Sequence, residues 1–291
     1  MSNIVNITSQ NTNQNNVNKD EQIDIDVTST EAFRACLDKI FYLNQDPMAI
    51  IVDQLYVEII DLFNKGKNSI PEIIKNFLDT NCKSNYDVFK WLLFYHKDKP
   101  EYDCLLGIFF RWNIGTDGTK GNAFQHFQDA ATKQNSLAKY LEGKCYEDGW
   151  NVKKKRTKAI ACFTQASDDC AAAGYALGAY YYKKQKFYLA MKWLQKSADK
   201  GNVMALHLLG KCYQKGRGTN FNVSKGFGLF MQAAEGDSPE AQYEIGQCFE
   251  FGQGTTKDLG KALDWYKKSA SNGIGCYTDL ERTRAKIMKQ I

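Results

Sequence analysis

A step of Leu, Ile or Glu followed by glycine recurs through the C-terminal two thirds of this chain: Leu106-Gly107, Glu142-Gly143, Leu177-Gly178, Leu209-Gly210 and Ile245-Gly246. The glycines stand 36, 35, 32 and 36 residues apart. A period of that length means one supersecondary unit, repeated and stacked, because a single unit cannot bury its own apolar face. An array spreads its core along one axis, so the length of 291 residues does not imply two globular domains.

Aligned on these glycines, each unit shows the same requirements. Five residues earlier stands Ala138, Ala173, Ala205 or Ala241, with Tyr102 in the first unit. Three residues later stands an aromatic: Phe110, Tyr146, Tyr181, Tyr213 or Phe249. Those offsets share one face of a helix. Glycine inside a helix costs about 1 kcal/mol against alanine, so the spacing predicts close backbone approach between packed helices. Gly149, Gly216-Arg217-Gly218 and Gly252-Gln253-Gly254 then fit a helix stop with positive φ. A second helix follows, with Ala123, Ala159, Ala190, Gly226 and Ala262 each four residues before Phe127, Phe163, Leu194, Phe230 and Tyr266. Small residues return four positions later (Ala131, Ser167, Ala198, Ala234, Ala270), completing a buried seam.

The string from Ala241 to Gly254, followed by Lys261 to Gly273, resembles a Sel-1-like repeat, and Ala205 to Gly236 resembles it as closely. The resemblance extends over roughly residues 101–276, and we set five repeats at 101–275. The third unit departs from the pattern: between Gly178 and Ala190 it is about four residues shorter and lacks the Gly-x-Gly turn. The resemblance implies an all-α fold, a right-handed α-solenoid of stacked helix pairs related to tetratricopeptide arrays. It also implies a scaffold or adaptor that binds protein partners in signalling or complex assembly. In some proteins such arrays accompany protein kinases, which makes a kinase-pathway partner the alternative. Others are linked to amide hydrolysis, which makes a hydrolase the third reading. The stretches Val57–Gly66 and Val88–Trp91 resemble the helical lead-in of fungal arrays of this type.

Residues 1–28 are polar, Asn/Gln-rich and acidic at Asp20–Asp26, and read as a disordered tail. Residues 29–100 read as an N-terminal helical bundle docked on the array. Its starts are a capping box at Thr28 and Glu31, Asp46-Pro47, Ser69-Ile-Pro-Glu72 and Ser84–Asp87. Asp98-Lys-Pro-Glu101 opens the first repeat helix. Residues 276–291 read as a basic C-terminal capping helix with Leu280, Ala285, Ile287 and Met288 on its apolar side.

Chemistry is sparse. His96, His126 and His207 lie far apart with no Cys/His cluster, so a packing role is expected and no metal or cofactor. No nucleophile-elbow or kinase signature occurs, and a hydrolase would need an activated nucleophile with a base in reach. Gly254–Lys261 mimics a phosphate loop but has one residue too many between its glycines, and Ala262 replaces the hydroxyl. The 9 cysteines include no C-x-x-C pair, and Cys145, Cys212 and Cys248 share a repeat position that suits packing. Free thiols place the chain in a reducing compartment, the cytoplasm, with the nucleus as alternative. No apolar run spans a membrane, and the start lacks a secretory pattern. Net charge +5 does not reach the basic stripe of a nucleic-acid binder. The run Lys153–Arg156 reads either as a solvated loop or as a localisation signal or acidic-partner contact.

If the first helices line the inner side of the array, their off-core positions face a partner. Three residues before each glycine these are Tyr140, Tyr175, His207 and Tyr243, and one residue after it Lys144, Lys211 and Gln247. Aromatic rungs beside polar donors suit an extended peptide or a helix. Recurrence in every unit argues more strongly for a shared packing role.

Overall fold

The computed structural model describes residues 46–289 apart from 67–68, 82, 96, 98, 117–120 and 275–276. The Thr28 capping box and His96 therefore lie outside the described residues. Residues 51–291 form one compact unit. Of residues 1–50, those described form a helix start, where the Met48 amide donates to Asp46 Oδ1 at 2.9 Å.

Among the described residues every regular element is a helix. Three lead in: α1 (Pro47–Lys65), α2 (Ile70–Thr80) and α3 (Asn85–Tyr95). Five pairs follow: α4 (Pro100–Trp112) with α5 (Ala123–Thr132), α6 (Ser136–Asp148) with α7 (Arg156–Ala166), and α8 (Ala171–Lys183) with α9 (Phe187–Ala198). The last two are α10 (Val203–Lys215) with α11 (Val223–Glu235), and α12 (Pro239–Phe251) with α13 (Leu259–Ser271). The chain closes with α14 (Tyr277–Met288). Each helix from α3 onward packs on the next, so the pairs stack into an α-solenoid.

The helical glycines explain the pairing. A Cβ on Gly143 would lie 2.6 Å from Phe163 Cε1, and one on Gly210 or Gly246 would lie 2.5 Å from the ring of Phe230 or Tyr266. Gly107 seats Phe127 in the same way, and Gly178 seats Leu194, each at 2.6 Å. What approaches is a side chain of the second helix more than its backbone. Burying a large apolar side chain contributes about 1.5–3 kcal/mol, which outweighs the roughly 1 kcal/mol that glycine costs the helix.

Gly149, Gly216 and Gly252 end α6, α10 and α12 in the left-handed conformation, with φ of 81°, 63° and 69°. The shorter third unit uses Gln185, at φ 60°, instead. Its turn nevertheless closes with the bond the other units make. Lys186 N–H donates to Tyr181 O at 2.9 Å, as Lys155 does to Tyr146, Asn222 to Tyr213 and Asp258 to Phe249 at 2.8–2.9 Å. The four-residue deletion is absorbed in the turn and leaves the helix pairing intact.

The residue eight before each glycine is an N-cap. Asn135, Asn202 and Ser238 accept from the backbone N–H three residues on, at 2.8, 2.9 and 3.2 Å. In the third unit that position is Cys170, which makes no side-chain cap.

A candidate partner face along the first helices

The side chains proposed as rungs divide into three groups. At the start of the ladder, α1 lies across the array. Its apolar stripe of Val52, Leu55, Tyr56, Ile59, Leu62 and Phe63 is buried. Phe63 meets Tyr140 edge-on with ring centroids 5.8 Å apart, and Trp112 at 6.3 Å. Lys144 lines the crevice left between them, of ≈ 120 Å³, and binds Glu147 at 2.5 Å. Tyr140 packs its other side on Phe163 at 5.7 Å, and burial pushes its phenol far above the ordinary range.

Helix α1 does not stop at one repeat. The Asn135 side-chain amide donates to Tyr56 Oη at 2.6 Å, Asn64 Oδ1 accepts from Ala171 N–H at 2.9 Å, and the Asn202 amide donates to Asn64 O at 2.8 Å. These contacts fall at the N-termini of α6, α8 and α10 in succession. The lead-in is therefore not confined to the first unit: α1 runs along the N-terminal ends of the first helices of three repeats and meets the face proposed for a partner at Tyr140, through Phe63. Sequence reading missed Tyr56, Asn64, Asn135 and Asn202; the signal was the recurring cap residue eight positions before each glycine.

In the middle stand Tyr175, His207 and Lys211. Among the described residues no side chain of α1 or α14 forms a hydrogen bond, ion pair or ring contact with them. Lys211 Nζ lies 2.8 Å from the buried Glu244 of the next unit, and His207 Nε2 3.7 Å from the same carboxylate. Burial alone would raise that carboxyl; His207 and Lys211 reverse the effect and hold it at about 2. His207 also packs on the Phe230 ring at 5.8 Å, and its Nε2 has no hydrogen-bond partner. Tyr175 is half-buried against the core of Ala190, Leu194 and Leu209.

At the far end, Gln247 donates to Tyr243 Oη at 3.0 Å, which donates in turn to Asp279 of α14 at 2.9 Å. The basic α14 docks chiefly through charge. Arg282 and Lys286 reach the buried Glu250 at 2.9 and 2.7 Å. Leu280 packs on the core of the last unit, but the fully buried position is Thr283 and Met288 is 72% exposed. The apolar side expected of Ala285 and Met288 is not there, since both are exposed and ion pairs hold the helix instead.

The remaining chemical motifs are architectural. His126 Nδ1 lies 2.7 Å from the buried Asp103. In the phosphate-loop mimic, Asp258 caps Lys261 N–H at 3.0 Å, placing a carboxylate at that helix start. Among the described residues no group of three His, Cys, Asp or Glu could hold a metal ion, no helix is long and apolar enough to cross a membrane, and six cysteines are buried free thiols.

Known proteins share this architecture. The Sel1 repeat family matches residues 134–169, 170–202, 203–238 and 239–274. The pair α4–α5 lies before the first match, although Gly107 and Phe127 repeat its packing. A putative sel1-like repeat-containing protein of Acanthamoeba polyphaga mimivirus is 36% identical over 90 residues, 31% of this chain and 16% of that protein. Chitin synthase regulatory factor 3 of Schizosaccharomyces pombe is 27% identical over 147 residues, 46% of this chain and 16% of that protein. This chain thus spans about a sixth of the length of each curated relative. A solved Sel1 repeat protein from Oxalobacter formigenes superposes with a TM-score of 0.57 at 25% identity, covering 60% of this chain and 74% of the other. A protective antigen of uropathogenic Escherichia coli with an SLR fold gives 0.63 at 19% identity, covering 88% and 60%, a likeness of fold. In-register glycine seats, left-handed helix stops and these four matched units identify the chain as a Sel1-repeat α-solenoid.

Proposed function

We propose that this protein is a non-catalytic scaffold that grips a protein partner along its first-helix face, through Tyr175, His207 and Lys211. The observation that carries this reading is α1 itself. It is an amphipathic helix that runs along the N-termini of α6, α8 and α10 and packs Phe63 on Tyr140, the first rung of that face. Helix-in-groove recognition uses apolar anchors bordered by polar groups, and the middle rungs offer an aromatic ring beside a cation. The partner assembles into a signalling or regulatory complex, a reading in keeping with the printed name of the Schizosaccharomyces pombe relative. The site of action is the cytoplasm.

The test places a photo-crosslinking phenylalanine analogue at Tyr175 in the full chain, identifies the captured protein and measures its affinity in pure form. Tyr175→Ala with Lys211→Glu is expected to weaken that affinity at least about tenfold, about 1.4 kcal/mol, with the helical circular dichroism unchanged. Unaltered affinity in the folded variant rejects the face. Phosphotransfer or amide hydrolysis by the pure protein, abolished by one point substitution, rejects the scaffold.

A further inference from the structure

We propose that the edge formed by the turns between first and second helices is a second docking surface, for an acidic polypeptide segment with apolar side chains between its carboxylates. The net charge of +5 conceals a lateral polarity. Residues 149–158, 183–188, 215–225 and 251–261, which form these turns and the adjoining helix starts, carry 13 Lys and Arg against a single acid, Asp258. The opposite edge, residues 133–136, 166–171, 198–203 and 235–240, carries 6 acids against Lys133 and Lys200. Lys153, Lys154, Lys155 and Arg156 are exposed, and among the described residues none has a carboxylate in ion-pair range.

The same edge gathers the exposed apolar surface of the array. All five exposed large hydrophobic side chains of residues 134–274 stand here: Trp150 at 43%, Tyr188 at 77%, Leu189 at 37%, Phe221 at 68% and Phe251 at 53%. Neighbouring turns of the third, fourth and fifth units touch one another. A Cβ on Gly218 would lie 2.6 Å from the Phe187 backbone, beside Tyr188. Arg217 donates to Tyr182 Oη at 2.5 Å, and Gln214 to Gln253 at 3.0 Å.

One or two apolar side chains per turn, interleaved with cations, match a polypeptide whose carboxylates and apolar groups alternate. Base stacking needs free ring faces, and the Arg111 guanidinium already lies over Trp150 at 4.3 Å. Bilayer insertion needs a belt of protruding rings, and here only Tyr188 and Phe221, on two of the four turns, protrude while Trp150 and Phe251 are about half covered. This surface is separate from the first-helix face, so its failure leaves that reading standing.

Fluorescence anisotropy on the full chain tests the proposal with two labelled peptides of about 20 residues, one repeating Glu-Glu-Phe and one of Glu alone, beside an oligothymidylate and phosphatidylserine vesicles. The Glu-Glu-Phe peptide is expected to bind most tightly, with affinity falling as salt rises. Tyr188→Ser with Phe221→Ser should weaken it about tenfold and leave the Glu peptide unchanged. Lys154→Glu with Lys155→Glu should weaken both, and Lys133→Glu on the opposite edge neither. Failure of the Glu-Glu-Phe peptide to bind, equal weakening by Lys133→Glu, or tighter binding of the oligothymidylate or the vesicles overturns the proposal.

Discussion

Asn64 Oδ1 accepts a hydrogen bond from the backbone N–H of Ala171 at 2.9 Å, across 107 residues of chain. Helix α8 is preceded by Cys170 at its N-cap position, where α6 and α10 have Asn135 and Asn202. A helix start leaves four N–H groups without an intrahelical partner. In the third repeat α1 answers one of them from outside, so the seating of α1 and the capping of α8 are one interaction.

Asn64→Ala is therefore expected to destabilise the protein by about 1–2 kcal/mol. Cys170→Asn would cap a different donor, Ala173 N–H, just as Asn135 and Asn202 cap the residue three on, and should add about 1 kcal/mol in either background. Urea midpoints of the four proteins of this cycle are the measurement. Additivity within about 0.3–0.5 kcal/mol is expected of caps on separate donors, and an Asn64→Ala variant as stable as the wild type rejects the cap from α1.

Two glycines of one repeat predict opposite outcomes. A Cβ on Gly210 would meet Phe230 Cε1 at 2.5 Å, and Phe230 is fully buried, so the ring has nowhere to go. Gly228, within α11, has nothing within 4 Å of its added Cβ. Gly210→Ala should cost about 1–3 kcal/mol through overpacking, while Gly228→Ala should gain up to about 1 kcal/mol in helix propensity. Thermal unfolding of both variants decides it. A stabilised Gly210→Ala removes the seat as the reason for the repeat's glycine.

The pairs were legible because their constraints are local and recur: glycine opposite a ring, a left-handed stop, an alanine seam. The third turn was legible only as a gap. Nothing in its residues announces that Lys186 and Tyr181 close it with the bond the longer turns use. The route of α1 was not legible at all. Its stripe from Val52 to Phe63 says that it is buried, but Asn64 meets residues 107 and 138 positions away. Periodicity carries no information on which surface an apolar stripe will choose. The candidate rungs lie on the first helices of their pairs, yet two elements that belong to no repeat determine which of them are packed over.

Cys145, Cys212 and Cys248 fill one repeat position and are buried. Burial pushes their thiols up to about 11, 11 and 12. Only a thiolate alkylates, so neither charge nor access favours reaction in the folded state. Iodoacetamide at about pH 8 is expected to leave these three unmodified in the native protein and to label them fully in urea, as read by peptide mapping. Native labelling as fast as in urea contradicts the buried register.

Glu250 holds α14 to the last repeat. Its side chain is buried, and it accepts from Tyr266 Oη at 2.8 Å, Arg282 at 2.9 Å and Lys286 at 2.7 Å. Burial alone would raise the carboxyl; the hydrogen bonds of Arg282, Lys286 and Tyr266 overturn that and hold it at about 2. An unfolded glutamate titrates near about 4.3. A depressed carboxyl stabilises the fold above the unfolded value and loses that contribution as pH falls through the folded one. The contribution, up to about 3 kcal/mol, is thus complete above about pH 5 and disappears toward pH 2. Hydrogen exchange should show Tyr277–Met288 losing protection across that interval before α6 to α9 do. Glu244 titrates over the same range, but its partners His207 and Lys211 lie in α10, so a loss specific to α14 reports Glu250. Glu250→Gln should lower the protection of α14 already at neutral pH and flatten its acid dependence. A variant with wild-type protection and an unchanged acid profile shows that Leu280 and its apolar neighbours, rather than this carboxylate, secure the end of the array.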